Sequence, residues 1–373
     1  MRIALVITEL YPGGAEKCFV NLACYLQSRG HQVVVWQLWP DPPPERRQLT
    51  QQLDQHGVAW HSGGARSAWQ FINATRRLRR ELIAFEPDVT QSFLFHANVA
   101  AALAHRRFPK GLPGRLVGGA RVAQPERWRQ RLQRWAARRM EKLVCVSQSV
   151  ATHCHSIEKI PLDKLLVIPN GLEIPSFSTD TNACWSKLGL PVGARVLLFV
   201  GRLTEQKGVV EFMSRVVPDV LARLPEHRLV FMGDGEQSQQ LGEMAQSLHR
   251  ASRVHLVGWQ PQAIEWMRAA ELLVLSTRYE GMPNVIIEAM SVGKPVVSFA
   301  VDGVRELLGD AETSDVQCVE PLNWAALADA IVALANDRDL QVRCGQDNLA
   351  RVEQHFQLSQ QLARYERLYE LGG

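Results

Sequence analysis

Residues 272–299 constrain the fold more than any other stretch. Leu272 to Leu275 is an uninterrupted apolar run, and Val296 to Phe299 is a second apolar stretch broken only by Ser298. Between them stands S-T-R-Y-E-G-M-P-N-V-I-I-E-A-M-S-V-G-K-P, residues 276–295. The spacing predicts strand, loop, helix and strand in one short unit. Gly281 and Pro283 break the chain before the helix, Asn284 is the expected N-cap, and Gly293 the expected stop. Two short apolar strands joined by a helix belong to a parallel sheet, which binds ligands at the carboxyl ends of its strands. The unit places Glu280 in the loop and Glu288 about one turn inside the helix, where both can face such a crevice. Spacing alone leaves open a plainer account, with one surface Glu, one helix-face Glu and ordinary turn glycines.

A chain of 373 residues is too long for one comfortable core, so two domains are expected. The strand–helix pattern starts near Ile3 and restarts at Arg195, and residues 171–192 between have little periodicity. The predicted division is 1–170, a linker at 171–192, 193–356, and a final helix at 357–373 that packs back on the first domain. The seven Cys have neither zinc nor redox spacing, which fits a reducing compartment. The first residues read as a buried strand and not as a leader, and no stretch approaches about 18 apolar residues, the length of a membrane span.

Charge is uneven. Residues 1–170 hold 24 Lys and Arg against 12 Asp and Glu, a balance of +12; the remaining 18 basic and 26 acidic residues give −8. Twelve of the basic residues fall in 106–142, against only Glu126 and Glu141. A helix is predicted over Trp128–Leu143, with Trp128, Leu132, Trp135, Ala136, Met140 and Leu143 on one face and arginines around it. It is either a helix packed on its sheet with a basic solvent face, or one that meets an anionic bilayer or lipid acceptor. Nucleic acid is set aside, because no recognition module accompanies the charge.

Other loops fall at predicted strand ends. Gly13 and Gly14 open a helix after the first strand; they let a ligand approach the helix N-terminus or are plain turn glycines. His96 stands where a strand passes into a helix, placed to orient a polar substrate or to cap its own helix. Arg121 follows another strand. Arg202 and Lys207 flank the loop 201–208, and two cations beside a helix N-terminus suit a diphosphate; taken alone, they are also ordinary surface residues.

In sequence these fragments resemble the retaining glycosyltransferases of family four, which have two Rossmann-like domains facing a central cleft, the GT-B fold. The matching pieces are P-G-G-A-E at 12–16, His96, V-S-x-S at 146–149, P-N-G at 169–171 and V-G-R-L-x-x-x-K-G at 200–208. They continue with G-D-G-E at 233–236, V-G-W at 257–259, E-G-M-P-N at 280–284 and E-A-M-S-V-G-K-P-V-V at 288–297. Asp302 departs from the family pattern, which often has a glycine pair at 302–303, and so does Arg305, where Pro is common.

The resemblance implies an α/β fold and transfer of a hexose or N-acetylhexosamine from a nucleotide sugar, most often UDP-linked, without a catalytic metal. Arg202 and Lys207 would hold the diphosphate, Glu288 the ribose, and backbone at Val257 and Gly258 the base. Glu280 and the backbone of Gly281, Met282, Pro283 and Asn284 would grip the donor sugar. Gly13 and Gly14 would approach the diphosphate, and His96 the donor sugar near the reacting centre. The acceptor would belong to the first domain, where Arg121 and the basic tract point to an anionic lipid-linked or glycan acceptor of bacterial envelope or exopolysaccharide synthesis. The expected location is cytoplasmic, peripheral on the inner membrane if residues 106–142 meet its anionic surface. A UDP-sugar epimerase with the same two-domain shell, and a non-catalytic sugar-nucleotide or glycan-binding protein, are the competing classes.

Overall fold

The structure, a computed structural model, describes residues 1–105, 114–123, 126–174, 183–186, 188–191 and 193–371. Parts of the basic tract (106–113 and 124–125) and of the 171–192 linker lie outside the described residues. The chain divides into two compact units, 1–170 with 359–373 and 171–358.

Unit 1 is built on a seven-stranded parallel sheet. Its strands are β1 (Arg2–Ile7), β2 (Gln32–Gln37), β3 (Ala59–Ser62), β4 (Val89–Phe93), β5 (Arg115–Ala120), β6 (Lys142–Cys145) and β7 (Leu165–Val167), in the order β3-β2-β1-β4-β5-β6-β7. β1 reads R-I-A-L-V-I and is buried along Ile3 to Ile7, as a central parallel strand covered on both faces must be. The helix Ala68–Phe85 shows how local sequence sets an element. Ser67 caps it by accepting from the Gln70 N–H, and Ala74, Leu78 and Leu82 face inward at helical spacing. Glu86, at φ 45°, ends it in the left-handed region. The last helix, Leu358–Leu371, packs on this unit. Tyr25 donates to the Glu366 carboxylate at 2.7 Å, Tyr369 donates to Gln91 at 3.1 Å, and Arg115 donates to the carbonyls of Leu368 and Tyr369.

Unit 2 has a six-stranded parallel sheet with β8 (Arg195–Val200), β9 (His227–Met232), β10 (Val254–Leu256), β11 (Leu272–Leu275), β12 (Val296–Phe299) and β13 (Cys318–Val319). Its order, β10-β9-β8-β11-β12-β13, follows the same winding as the first six strands of unit 1. In each sheet the winding reverses beside the first strand, between β1 and β4 and between β8 and β11. Loops there leave in opposite directions and open a crevice at the carboxyl edge.

Two local expectations are corrected. The predicted helix Trp128–Leu143 is the shorter helix Arg127–Ala137, and Leu143, also expected to open a strand over 143–146, lies in β6, paired with Gly118 and Leu165. A strand inserted between β5 and β7 needs its own start, so the helix ends before the turn at 138–141. Asn284 is not the cap of its helix either. Pro283 occupies that position in extended backbone, φ −73° and ψ 109°, and Asn284 is the first helical residue.

Candidate active site

The strongest cluster in unit 2 forms where β8 and β11 end. The loop after β8 carries Arg202 and, on a short 3-10 turn, Lys207. The loop after β11 carries Glu280. The Lys207 ammonium donates to Glu280 Oε1, and both side chains are nearly buried, 12% and 9% exposed. Thr277 Oγ1 donates to the same carboxylate oxygen at 2.8 Å. Arg202 is exposed, and its guanidinium has no hydrogen-bond partner among the described residues. One cation is therefore anchored and the other is available to a ligand.

Backbone contacts hold these loops together. The Gln206 carbonyl accepts from the Arg278 N–H at 2.9 Å, and the Gln206 side chain donates to the Tyr279 carbonyl at 2.9 Å. Ser276 Oγ donates to the Lys207 carbonyl at 2.8 Å. Gly208 has φ 62°, and a Cβ there would stand 2.5 Å from the Ser276 carbonyl oxygen. Gly303, at φ 77°, would put a Cβ 2.1 Å from the Gly281 carbonyl oxygen. Both must be glycine for sterics and conformation together. They bring the Lys207 loop and the loop after β12 against the two sides of the Glu280 loop.

The same edge continues toward β10. The Gly201 N–H donates to the Met232 carbonyl and the Gly233 N–H to the Gly258 carbonyl at 2.9 Å. Val257 and Gly258 are thus tied to the loop that carries Arg202. Glu288 is half-buried, the fifth residue of the helix Asn284–Ser291. Arg305 turns outward and pairs with Asp315 at 2.6 Å. Its departure from the family pattern is therefore spent on a surface ion pair.

In unit 1, Gly13 and His96 stand at the ends of the neighbouring strands β1 and β4. Gly13 is the cap and Gly14 the first residue of the helix Gly14–Ser28. Glu16 lies in that helix's first turn, and a Cβ on Gly13 would meet its carboxylate at 2.3 Å. This acid already sits where a phosphate would approach, and it favours the positive end of the helix.

His96 does not cap its helix. Its ring has no hydrogen-bond partner among the described residues and is held by aromatic neighbours: Trp39 and Phe95 at 5.2 Å and Phe71 at 6.5 Å. Burial, with a smaller contribution from the Arg129 charge, holds its imidazole below the ordinary range, so it is neutral at pH 7. Leu94, two residues before it, has φ 73°, a left-handed conformation costly for a bulky residue. This bend turns the chain from β4 into the helix Phe95–His105 and sets where His96 emerges.

Arg121 is buried, 6% exposed, and not displayed at the surface. Its guanidinium donates to the Asn170 side-chain oxygen and lies 4.9 Å from the Phe93 ring centroid, while Nη1 has no hydrogen-bond partner among the described residues.

Sequence reasoning missed several supporting residues. Thr277, Gln206 and Ser276 fix the Lys207–Glu280 pair, and only their place just past a strand end marks them. In unit 1, Asn98 is 1% exposed. It accepts from Ser92 Oγ at 2.7 Å, donates to the Gly119 carbonyl at 3.0 Å and donates to Gln133 at 3.3 Å. This network ties β4 and β5 to the helix Arg127–Ala137.

Comparison with known proteins agrees with this geometry. The family "Glycosyltransferase Family 4" matches residues 12–174, and "Glycosyl transferases group 1" matches residues 194–337. The chain belongs to the family-four glycosyltransferases. It is 26% identical to the phosphatidyl-myo-inositol mannosyltransferase of Mycobacterium tuberculosis over 98% of this chain and 97% of that one. It is 32% identical to LpsE of Rhizobium meliloti, a lipopolysaccharide core biosynthesis glycosyltransferase, over 42% of this chain and 44% of that one. The chain spans less than half the length of the first curated relatives it matches. The fold superposes on Anabaena HepE in complex with UDP-glucose with a TM-score of 0.83 and 22% identity, over 99% and 100% of the two chains. The likeness identifies the fold as GT-B. Among the described residues no helix is long and apolar enough to cross a membrane, and no group of three or more His, Cys, Asp or Glu could hold a metal.

Proposed function

We propose that this protein is a retaining glycosyltransferase. It moves a hexose or N-acetylhexosamine from a UDP-sugar to a lipid-linked or polysaccharide acceptor in bacterial envelope or exopolysaccharide synthesis. The observation that carries the proposal is the Lys207–Glu280 pair at the carboxyl ends of β8 and β11, with the free guanidinium of Arg202 on the same loop. A donor supplies both missing partners: its diphosphate takes the cations and its sugar hydroxyls take the carboxylate.

In this reading Lys207 exchanges Glu280 for the β-phosphate as the donor enters. Glu280 then accepts from sugar hydroxyls, with backbone of Gly281, Met282, Pro283 and Asn284 beside it. Glu288 accepts from the ribose hydroxyls, and backbone at Val257 and Gly258 meets the base. Gly13 and Gly14 attend the diphosphate once Glu16 swings aside, and neutral His96 hydrogen-bonds the donor sugar. The acceptor hydroxyl bonds to the anomeric carbon on the face from which the carbon–oxygen bond to phosphate breaks. The departing phosphate takes the hydroxyl proton, and Arg202 and Lys207 offset the charge that develops on it. No side chain has to act as nucleophile, so rate comes from positioning and charge. Arg121 favours an anionic acceptor through its field from below the sheet edge. The basic residues of 106–142 hold the enzyme on an anionic membrane from the cytoplasmic side.

Thermal unfolding with a panel of nucleotide sugars tests the donor, since a ligand at 100 times its Kd stabilises by about 2.7 kcal/mol. The saturating donor is then incubated with acceptor lipids, and the anomeric configuration of the product is read by NMR. An inverted product, or donor turnover to an isomer without any acceptor, would overturn the proposal.

A further inference from the structure

A cavity of about 630 Å³ in unit 1 is lined by His96 and otherwise by residues that the donor chemistry just described does not use. It lies within the range of drug-sized ligand sites, about 300–1,000 Å³. Its wall is a run of aromatic rings in mutual contact: Phe71 beside Trp39 at 6.4 Å, Trp39 beside His96, His96 beside Phe95, and Phe95 beside Trp128 at 5.7 Å. Val99 and Leu132 complete the apolar lining. Trp128 is 53% exposed, and it sits on the arginine-rich helix Arg127–Ala137. An aromatic wall with that much ring open to solvent is unusual for a chain that could have packed it inward.

The polar groups around the cavity are few. Arg66 lines it with a guanidinium that has no partner among the described residues. Arg129 lies over the Phe95 and Trp128 rings, 5.4 and 5.2 Å from their centroids, with only Glu126 at 3.6 Å to offset it. Ser67 is committed to capping its helix. A sugar in this chamber would leave most of its hydroxyls without partners, which is costly. An apolar chain ending in an anion satisfies both the rings and the two arginines.

We infer that this cavity holds the first isoprenoid units of a polyprenyl phosphate-linked acceptor, with the phosphate at Arg66 and Arg129 and the acceptor sugar outside the chamber. Methyl-branched, unsaturated units fill a broad chamber against ring faces. A single straight alkyl chain leaves gaps there and forfeits dispersion contacts. The inference rests on the lipid-linked acceptor reading above, and it names the site and the lipid.

Farnesyl phosphate, dodecyl phosphate, farnesol, inorganic phosphate and methyl glucoside are titrated separately into the full chain by calorimetry, below their aggregation concentrations. Farnesyl phosphate is expected to bind at least tenfold more tightly than any of the others. Leu132→Trp, which fills the cavity from a half-exposed position, and Trp128→Ala, which removes part of its wall, should each weaken farnesyl phosphate at least tenfold. UDP binding in both variants should match the parent, and parental circular dichroism and thermal unfolding of both variants show that unit 1 folds. Equal affinity for dodecyl phosphate would overturn the isoprenoid assignment. Parental farnesyl phosphate affinity in both variants, or a tighter methyl glucoside, would overturn the site itself. Failure of UDP to bind the parent would instead sink the donor reading and leave this titration to decide the cavity independently.

Discussion

Lys207 and Glu280 come from loops 73 residues apart and are bonded to each other at the edge of one sheet. Neither is a lone surface charge, because each satisfies the other. In the proposed function a diphosphate would compete for the ammonium and a sugar hydroxyl for the carboxylate, so donor binding would trade one ion pair for two charge-assisted contacts.

Removing one member exposes that coupling. Lys207→Met leaves Glu280 and Thr277 around a nearly buried carboxylate without its cation, and stability should fall by about 3–5 kcal/mol. Turnover should fall about 10²–10³-fold, the usual loss of one donor to developing charge. Adding Glu280→Leu should restore most of the stability and none of the turnover. Denaturant unfolding and transfer assays on the single and double variants check this; a single variant as stable as the parent would show that the pair carries no buried charge.

Glu288 stands on the helix that the Glu280 loop leads into. Glu288→Ala should abolish the thermal stabilisation given by UDP, measured as the shift between ligand-free and UDP-saturated transitions of the variant itself. Saturable protection by UDP in the variant would remove Glu288 from the ribose role.

Strand positions and the glycine loops are readable because both leave short-range marks. Buried parallel strands are short apolar stretches, unbroken at Leu272–Leu275 and interrupted only by Ser298 at Val296–Phe299, and close backbone approaches demand glycine, as at Gly208 and Gly303. The helix at 127–137 was misread for a physical reason. Apolar residues at helical spacing read as one face, either packed on the sheet or turned to an anionic bilayer or lipid acceptor, yet Trp128 and Leu132 line an open cavity while the polar Gln133 is 2% exposed. A cavity wall and a core face have the same periodicity. What separates them is a partner in three dimensions, here Asn98 for Gln133. The same blindness applies to Arg121, whose burial against Phe93 and Asn170 depends on strands far apart in sequence.

The Asn98 network makes a ranked prediction. Asn98→Leu takes the side-chain partner from the Gly119 backbone inside the core, at about 1–3 kcal/mol for each stranded group, and leaves the Ser92 hydroxyl with only the longer contact to the Val117 carbonyl at 3.4 Å. Gln133→Leu leaves Asn98 still bonded to Gly119 and should cost less. Thermal unfolding of the two variants gives the order directly, and the reverse order would show that Gln133, not Asn98, is the centre of the network.

Two buried groups in unit 1 give stability opposite dependences on pH. Burial pushes the His105 imidazole down to about 4, from 6.5. Between those values the unfolded chain binds a proton that the folded chain refuses, so stability rises with pH. The contribution is fully present above pH 6.5 and is lost as pH falls toward 4. Glu158 behaves in the opposite sense. Burial raises its carboxyl to about 7 from 4.5, outweighing the hydrogen bond with Cys154 that lowers it. The folded state then keeps a proton that the unfolded state has lost, so this contribution is full below pH 4.5 and disappears as pH rises through 7. The slopes oppose each other between about pH 4.5 and 6.5. Denaturant midpoints measured from pH 4 to 8 should therefore separate them: His105→Phe should lose less stability than the parent on acidification, and Glu158→Gln should lose less on going from pH 5 to 8. A Glu158→Gln profile parallel to that of the parent would mean that this carboxyl is ionised in the folded protein at neutral pH and is balanced by His153, 3.9 Å away.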